Sequence, residues 1–447
     1  MSVENFGYRQ ELKRGLTLRD LVIYGLVFLI PISPFGIYGF IHAESKGMVP
    51  LAFLIGMVAM LFTALSYRQM AKAFPIAGSV YSYAQRGLYE HVGFIAGWVL
   101  LLDYLLIPSL LYIFSALALH HYYPGIPKAI WMLLFLIGAT LVNFRGSGFS
   151  AKVNKLLLIG ELIVLALFLF FGFKALSNGM GNGALTFSAF YNPNEFNISL
   201  IMKATSVAVL AFLGFDAIST LAEEVKGDPR SQIGQATLIT LFLAGGMFVL
   251  QTWLATDLAV GMTFISLDSA FYEIAGAAGG EWLGILTAVA TAISWGIGVS
   301  IVAQAAVSRL LFSMARDGNL PKVLAHVHPN YRTPHISLLL VAMLSLIISN
   351  CFMDHPDLLA TLVNFGALIG FSILHVSVIN HYILRQRSRN WINHLIIPLI
   401  GLLIVLYVLI NMSANAIFLG ASWIVLGLIY MFILISKGKK IEISEPT

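Results

Sequence analysis

Twelve separate runs of about 20 apolar residues leave this chain a single kind of fold. They lie at approximately 19 to 43, 49 to 72, 92 to 119, 127 to 143, 152 to 174, 199 to 222, 234 to 256, 282 to 312, 336 to 353, 358 to 384, 393 to 412 and 415 to 436. Hydrocarbon offers no water to satisfy backbone N–H and C=O groups, so such runs cross a bilayer as α-helices. Composition agrees, since only 11% of the 447 residues are charged, against roughly 25% in a soluble domain. We therefore expect an all-α integral membrane protein with twelve transmembrane helices and no room for a soluble domain between them.

Orientation is read from Lys and Arg, which collect on the cytoplasmic side. With the N-terminus inside, 22 of the 26 basic residues fall on that side, and only Lys46, Lys128, Lys174 and Lys203 fall outside. Both termini are thus expected in the cytoplasm, and the formal charge of +5 marks topology and calls for no nucleic acid. The polar start MSVENFGYRQELKRG lacks the apolar core and small-residue site of a cleavable signal. The single Cys351 excludes a disulfide framework within the chain.

Two spans are interrupted. Helix 1 runs into PISPFGIYGF, where Pro31, Pro34, Gly36 and Gly39 fall inside one apolar stretch and break it. Helix 6 reaches AFLGFDAISTLAEE, where the step at Gly214 and Phe215 precedes a carboxylate, Asp216. Breaks in the first helix of each five-helix half are the mark of an inverted repeat with a midplane binding site. The segment AKAFPIAGSVYSYAQRGLYEHVG between helices 2 and 3 is too polar to span. It reads as a cytoplasmic loop and a short interfacial helix, with Tyr81 and Tyr83 at headgroup level.

Three carboxylates lie well inside the spans, Asp103, Glu161 and Asp216, and no Lys or Arg lies at comparable depth. Charge there is expensive, so protons, a cationic substrate or a wet cavity must meet it. Aromatic faces offer an amine about 0.5 to 2 kcal/mol each, and Phe35, Trp98, Tyr104, Phe215 and Trp295 are the candidates. His42 and His375 read as hydrogen-bonded structural groups, and Glu223 and Glu224 with Lys226 and Arg230 as part of an inner gate of ion pairs. Without a metal-ligand cluster, a nucleophile with its base, or a large extramembrane loop, the sequence argues against an enzyme.

The blocks FPIAGSVYSYAQ, HVGFIAGWVLLLDYL, FLGFDAISTLAEE, SRLLFSMARDGNLPKVLAHVHPNYRTP and LVNFGAL resemble the amino acid, polyamine and organocation permease superfamily, and within it the bacterial putrescine importers. The resemblance runs from helix 1 to the start of helix 11. It implies a LeuT-type five-plus-five inverted repeat with broken helices 1 and 6 and two extra C-terminal helices. The chain then divides into a cytoplasmic segment 1–18, repeats 19–175 and 199–384, helices 11 and 12 at 393–436, and a cytoplasmic tail 437–447.

The resemblance also distributes roles. Ser33, Phe35 and Gly36 of the helix 1 break, Asp103 and Tyr104, Gly214 and Phe215, and Trp295 are expected to bind substrate. Asp216 matches the position of proton or gating carboxylates in relatives. Glu161 stands where amino acid branches often carry a coupling Lys, so that scheme does not carry over. Pro34 and Phe35 replace N–H donors that would cradle a substrate carboxylate, which suits an amine; yet the Asp usual in this break of putrescine importers is missing. The expected function is a proton-coupled importer of a small organic amine such as putrescine, in a cell (inner) membrane. The alternative is an amino acid permease of the same superfamily, symporter or exchanger, and a channel or a transceptor whose transport is incidental is the third class. The partners are the amine or amino acid, protons and membrane lipid; no cofactor beyond the proton gradient is called for, and no oligomeric state is implied.

Overall fold

A computed structural model describes residues 15–76, 78–145, 147–316, 318, 320–328, 331, 333–412 and 414–436. The N-terminal segment up to residue 14 and the tail 437–447 lie outside the described residues. The chain forms α1 (Leu18–Leu29), α2 (Pro34–Ser45), α3 (Val49–Ala73), α4 (Ser79–Gly87), α5 (Glu90–Tyr122), α6 (Lys128–Phe144), α7 (Ser147–Ser177) and α8 (Ile198–Ala208). After α8 come two 3-10 segments, Val209–Phe212 and Phe215–Glu224. Next are α9 (Pro229–Leu258), α10 (Ala270–Gly279), α11 (Glu281–Ile293), a π-helical turn Ser294–Val299 and α12 (Ser300–Arg316). The chain continues through α13 (His335–Cys351), α14 (Pro356–Val378), α15 (Ile397–Ile410) and α16 (Ala414–Ser436).

Among the described residues, nine helices are long and apolar enough to cross a membrane, and α1 with α2, bent by 53°, makes a tenth broken span. α6 and α13 are shorter apolar helices. Helix ends follow local chemistry. Thr17 and Asp20 form a capping box that starts α1, Asn197 accepts the N–H groups of Ser199 and Leu200 to start α8, and Asp228 with Pro229 starts α9.

α3 packs along α9, and α1 packs on both α9 and the 3-10 helix Phe215–Glu224. α5 is the hub of the other half, touching α4, α6, α12, α13, α14 and α16. At one end a parallel bridge joins Leu16 to Val225, with Leu16 N–H donating to Glu224 O at 3.0 Å and Lys226 N–H to Leu16 O at 2.8 Å. The start of the first broken span and the end of the second are thereby tied together.

One expectation is corrected here. α4 is buried in the bundle instead of lying at its surface, with Tyr81 and Tyr83 almost fully covered. Gly97 of α5 leaves room for the Tyr81 ring, and Tyr83 packs edge-on against Tyr67 at 6.0 Å. Polarity kept this segment from reading as core, yet its Ser79 hydroxyl meets that of Tyr67 inside.

Candidate functional site

Both breaks have a definite cause. Pro31 and Pro34 have no N–H, and Ile30 takes a positive φ of 52° as α1 ends. Within the break, Ser33 N–H donates to Ile30 O at 2.8 Å and Phe35 N–H to Ile32 O at 3.0 Å. Those two donors are therefore turned inward on the break itself. The helix 6 break centres on Gly214, whose φ of 110° suits glycine alone and whose missing Cβ is replaced by the Phe28 ring of α1.

Between the breaks lies a cavity of about 50 Å³. Ser33 and Ile30 of the helix 1 break, Ile107 and Phe114 of α5, Leu213 of the helix 6 break and Trp295 of the π-helical turn are among its walls. Trp295 lies against Gly36, where a Cβ would come within 2.8 Å of the indole, and it meets Phe114 edge-on at 5.2 Å. Its Nε1 is buried without a hydrogen-bond partner. The structure thus brings Ser33, Gly36, Gly214 and Trp295 together.

A second group stands one helical turn away. Asp103 precedes the wall residue Ile107 by four positions, about 6 Å along α5, and Asp216 follows Leu213 by three. Both carboxylates are 4% exposed. Tyr104 donates to Asp216 Oδ2 at 2.8 Å and Tyr67 to the same oxygen at 3.4 Å, while the Tyr67 hydroxyl also meets Ser79 Oγ of α4 at 3.2 Å. Asp103 packs where Gly366 of α14 leaves space, and its Oδ1 has no partner. Phe215 stacks on Phe371 at 5.9 Å and meets Tyr67 edge-on at the same separation. Asp103, Tyr104, Phe215 and Asp216 thus share one cluster with Tyr67 and Phe371.

Three further candidates lie elsewhere. Phe35 stacks on Phe271 at 4.0 Å and meets Phe168 edge-on, in an aromatic layer beyond the cavity. Glu161 is buried on α7 with Oε2 unpartnered and Ser294 of the π-helical turn beside it. Trp98 turns to α16, where it and Trp423 donate to each other's backbone carbonyl at 2.9 Å with rings stacked at 4.9 Å. Tyr67, Phe28 and Phe114 escaped sequence reasoning. A lone polar aromatic in the apolar run around Tyr67 was a usable signal; two among 31 phenylalanines were not.

Below the carboxylates a wider cavity of about 540 Å³ opens at the end of the bundle that holds the Leu16 bridge. Tyr24, Asn143, Lys155, Ser308, Arg309 and Glu224 are among its lining residues. Glu224 faces Arg309 at 4.0 Å, so the gate pair expected of Glu224 is made with α12.

The family model for amino acid permeases matches residues 21–435. The low-affinity putrescine importer PlaP of Escherichia coli (strain K12) is 30% identical over 430 residues, covering 95% of this chain and 94% of the importer. The branched-chain amino acid permease BcaP of Bacillus subtilis (strain 168) is 25% identical over 465 aligned positions, covering 97% of this chain and 95% of the permease. Mouse cationic amino acid transporter 4 is 26% identical, covering 84% of this chain and 61% of its own length. Matched over nearly its whole length, with two broken spans meeting at a small cavity, this multi-pass membrane protein belongs to the amino acid permease family.

Proposed function

We propose that this protein is a secondary active transporter that imports a small organic amine such as putrescine with protons, and that it sits in the inner membrane with both termini cytoplasmic. In this reading α6 and α13 complete twelve spans, and the two breaks belong to a five-plus-five inverted repeat. The observation that carries the substrate class is the helix 1 break. Pro31 and Pro34 bring no N–H, and those of Ser33 and Phe35 are bonded within the break, so these four positions offer nothing to cradle a carboxylate. An ammonium group fits better: the Trp295 ring face is at hand, and Asp103 and Asp216 stand one turn away on the side of the open mouth. The 30% identity to a putrescine importer supports the same class.

Asp216 then links the proton to the cargo. Ionised, it holds the hydroxyls of Tyr104 and Tyr67; neutral, it releases part of that attraction and lets the 3-10 helix shift against α3 and α5. Glu161 is the competing proton site. The test is uptake of putrescine into vesicles under an imposed pH gradient, with ornithine as competitor. Putrescine competing better than its carboxylated counterpart is the expected result, and the opposite ranking overturns the amine reading.

The second reading, an amino acid symporter or exchanger, is favoured by the unpartnered Nε1–H of Trp295, a donor that a carboxylate would satisfy. Similarity to BcaP and the family's own name point the same way.

A further inference from the structure

The linker from α14 to α15 has a chemistry that transport does not use. Residues 379–396, INHYILRQRSRNWINHLI, contain no Asp or Glu and place Arg385, Arg387 and Arg389 at alternate positions. The turn is rigidly built. Gln386 N–H donates to His381 O and Ser388 N–H to Tyr382 O, Arg387 takes a positive φ of 52°, and the ring of His394 stacks on Tyr382 at 3.9 Å while its Nδ1 meets Ser388 Oγ. Held this way, Arg387 and Arg389 are exposed, flanked by exposed Leu384, Trp391 and Ile392. Arg385 has another task. It donates to the backbone carbonyls of Arg86 and Leu88 and covers the Tyr89 ring at 5.4 Å, while Asn380 bonds Gly87 O at 2.7 Å.

Cations beside a Trp and aliphatic side chains, at the end of a membrane-crossing helix, match a bilayer surface: phosphates for the guanidinium groups, the acyl boundary for the indole and leucine. We infer that this linker binds an anionic phospholipid surface. The choice of lipid over a soluble anion rests on the exposed Trp391, Leu384 and Ile392, which a free phosphate would leave in water. Lipid held here bears directly on α4, through Arg385 and Asn380, and α4 in turn carries Ser79, the partner of Tyr67 beside Asp216.

The test is independent of any transport assay. The purified full-length protein, in mild detergent, is given equal amounts of phosphatidylglycerol and phosphatidylcholine, and retained lipid is counted by native mass spectrometry. Phosphatidylglycerol should be retained in preference, and R387Q/R389Q should lose that preference by about fivefold for each arginine removed. R387K/R389K, which keeps the charge, should keep it. Equal retention of both lipids by the parent, or undiminished preference in R387Q/R389Q, overturns the inference. So does full displacement of the lipid by inorganic phosphate, which would make the site one for a soluble anion.

Discussion

Tyr104 and Tyr67 donate to the same oxygen of Asp216, and the two distances, 2.8 and 3.4 Å, rank them. Tyr104→Phe removes the shorter bond, so it should lower stability by about 1.5 to 3 kcal/mol, the range for a hydrogen bond to a charged group, read by thermal shift. Tyr67→Phe should do less, and the reverse order would mean that Asp216 leans on α3. Asp216→Asn keeps an acceptor oxygen and removes the charge. We expect it to bind substrate, to lose accumulation driven by a proton gradient, and to exchange at a rate that depends less on pH than the parent's. Glu161→Gln is the control, and if that variant alone loses accumulation, the proton travels through α7. Asp103 and Asp216 were legible in the sequence because a carboxylate in an apolar run stands out by its energy. Their neighbours were not: what surrounds Asp216 is settled by where α3, α4 and α14 lie, and no local pattern carries that.

At the scale of elements, the helix 6 break depends on Gly214. Gly214→Ala should cost about 1 to 3 kcal/mol for the forced backbone alone, with the Phe28 ring adding to it. Gly160→Ala on α7, where nothing lies within 4 Å, should be neutral or stabilising in the same melting experiment. α16 is fastened to α5 by the paired indoles of Trp98 and Trp423. Trp98→Phe and Trp423→Phe should each cost about 1 kcal/mol, and a double-mutant cycle should return a coupling of at least about 0.5 kcal/mol if the two act as one clasp. Proline and glycine announced both breaks, since their effect on a helix is local. α4 was misread for the opposite reason, because burial of its tyrosines depends on the small residues of α5 and on Ser79 meeting Tyr67 across the bundle.

The molecule as a whole holds a small cavity of about 50 Å³ between the breaks and a wide one of about 540 Å³ below it, so a thiol placed in the wide cavity reports which way it faces. With Cys351, the native thiol, replaced by Ser, Ala305→Cys should react with a membrane-impermeant reagent from the cytoplasmic side of the proposed orientation. Conditions that reverse the cycle should slow that reaction, and one unvarying rate would contradict alternating access. The bridge between Leu16 and Val225 bears on how such a reversal proceeds. α1 and the 3-10 helix Phe215–Glu224 are each hinged at a break, at residues 30–33 and at Gly214, and two free hinges would give two independent swings. They are fastened at their far ends by three backbone hydrogen bonds, from Gly15, Leu16 and Lys226. Swinging one arm without the other has to break those bonds, at about 0.5 to 1.5 kcal/mol each, so the two arms favour moving as one wall.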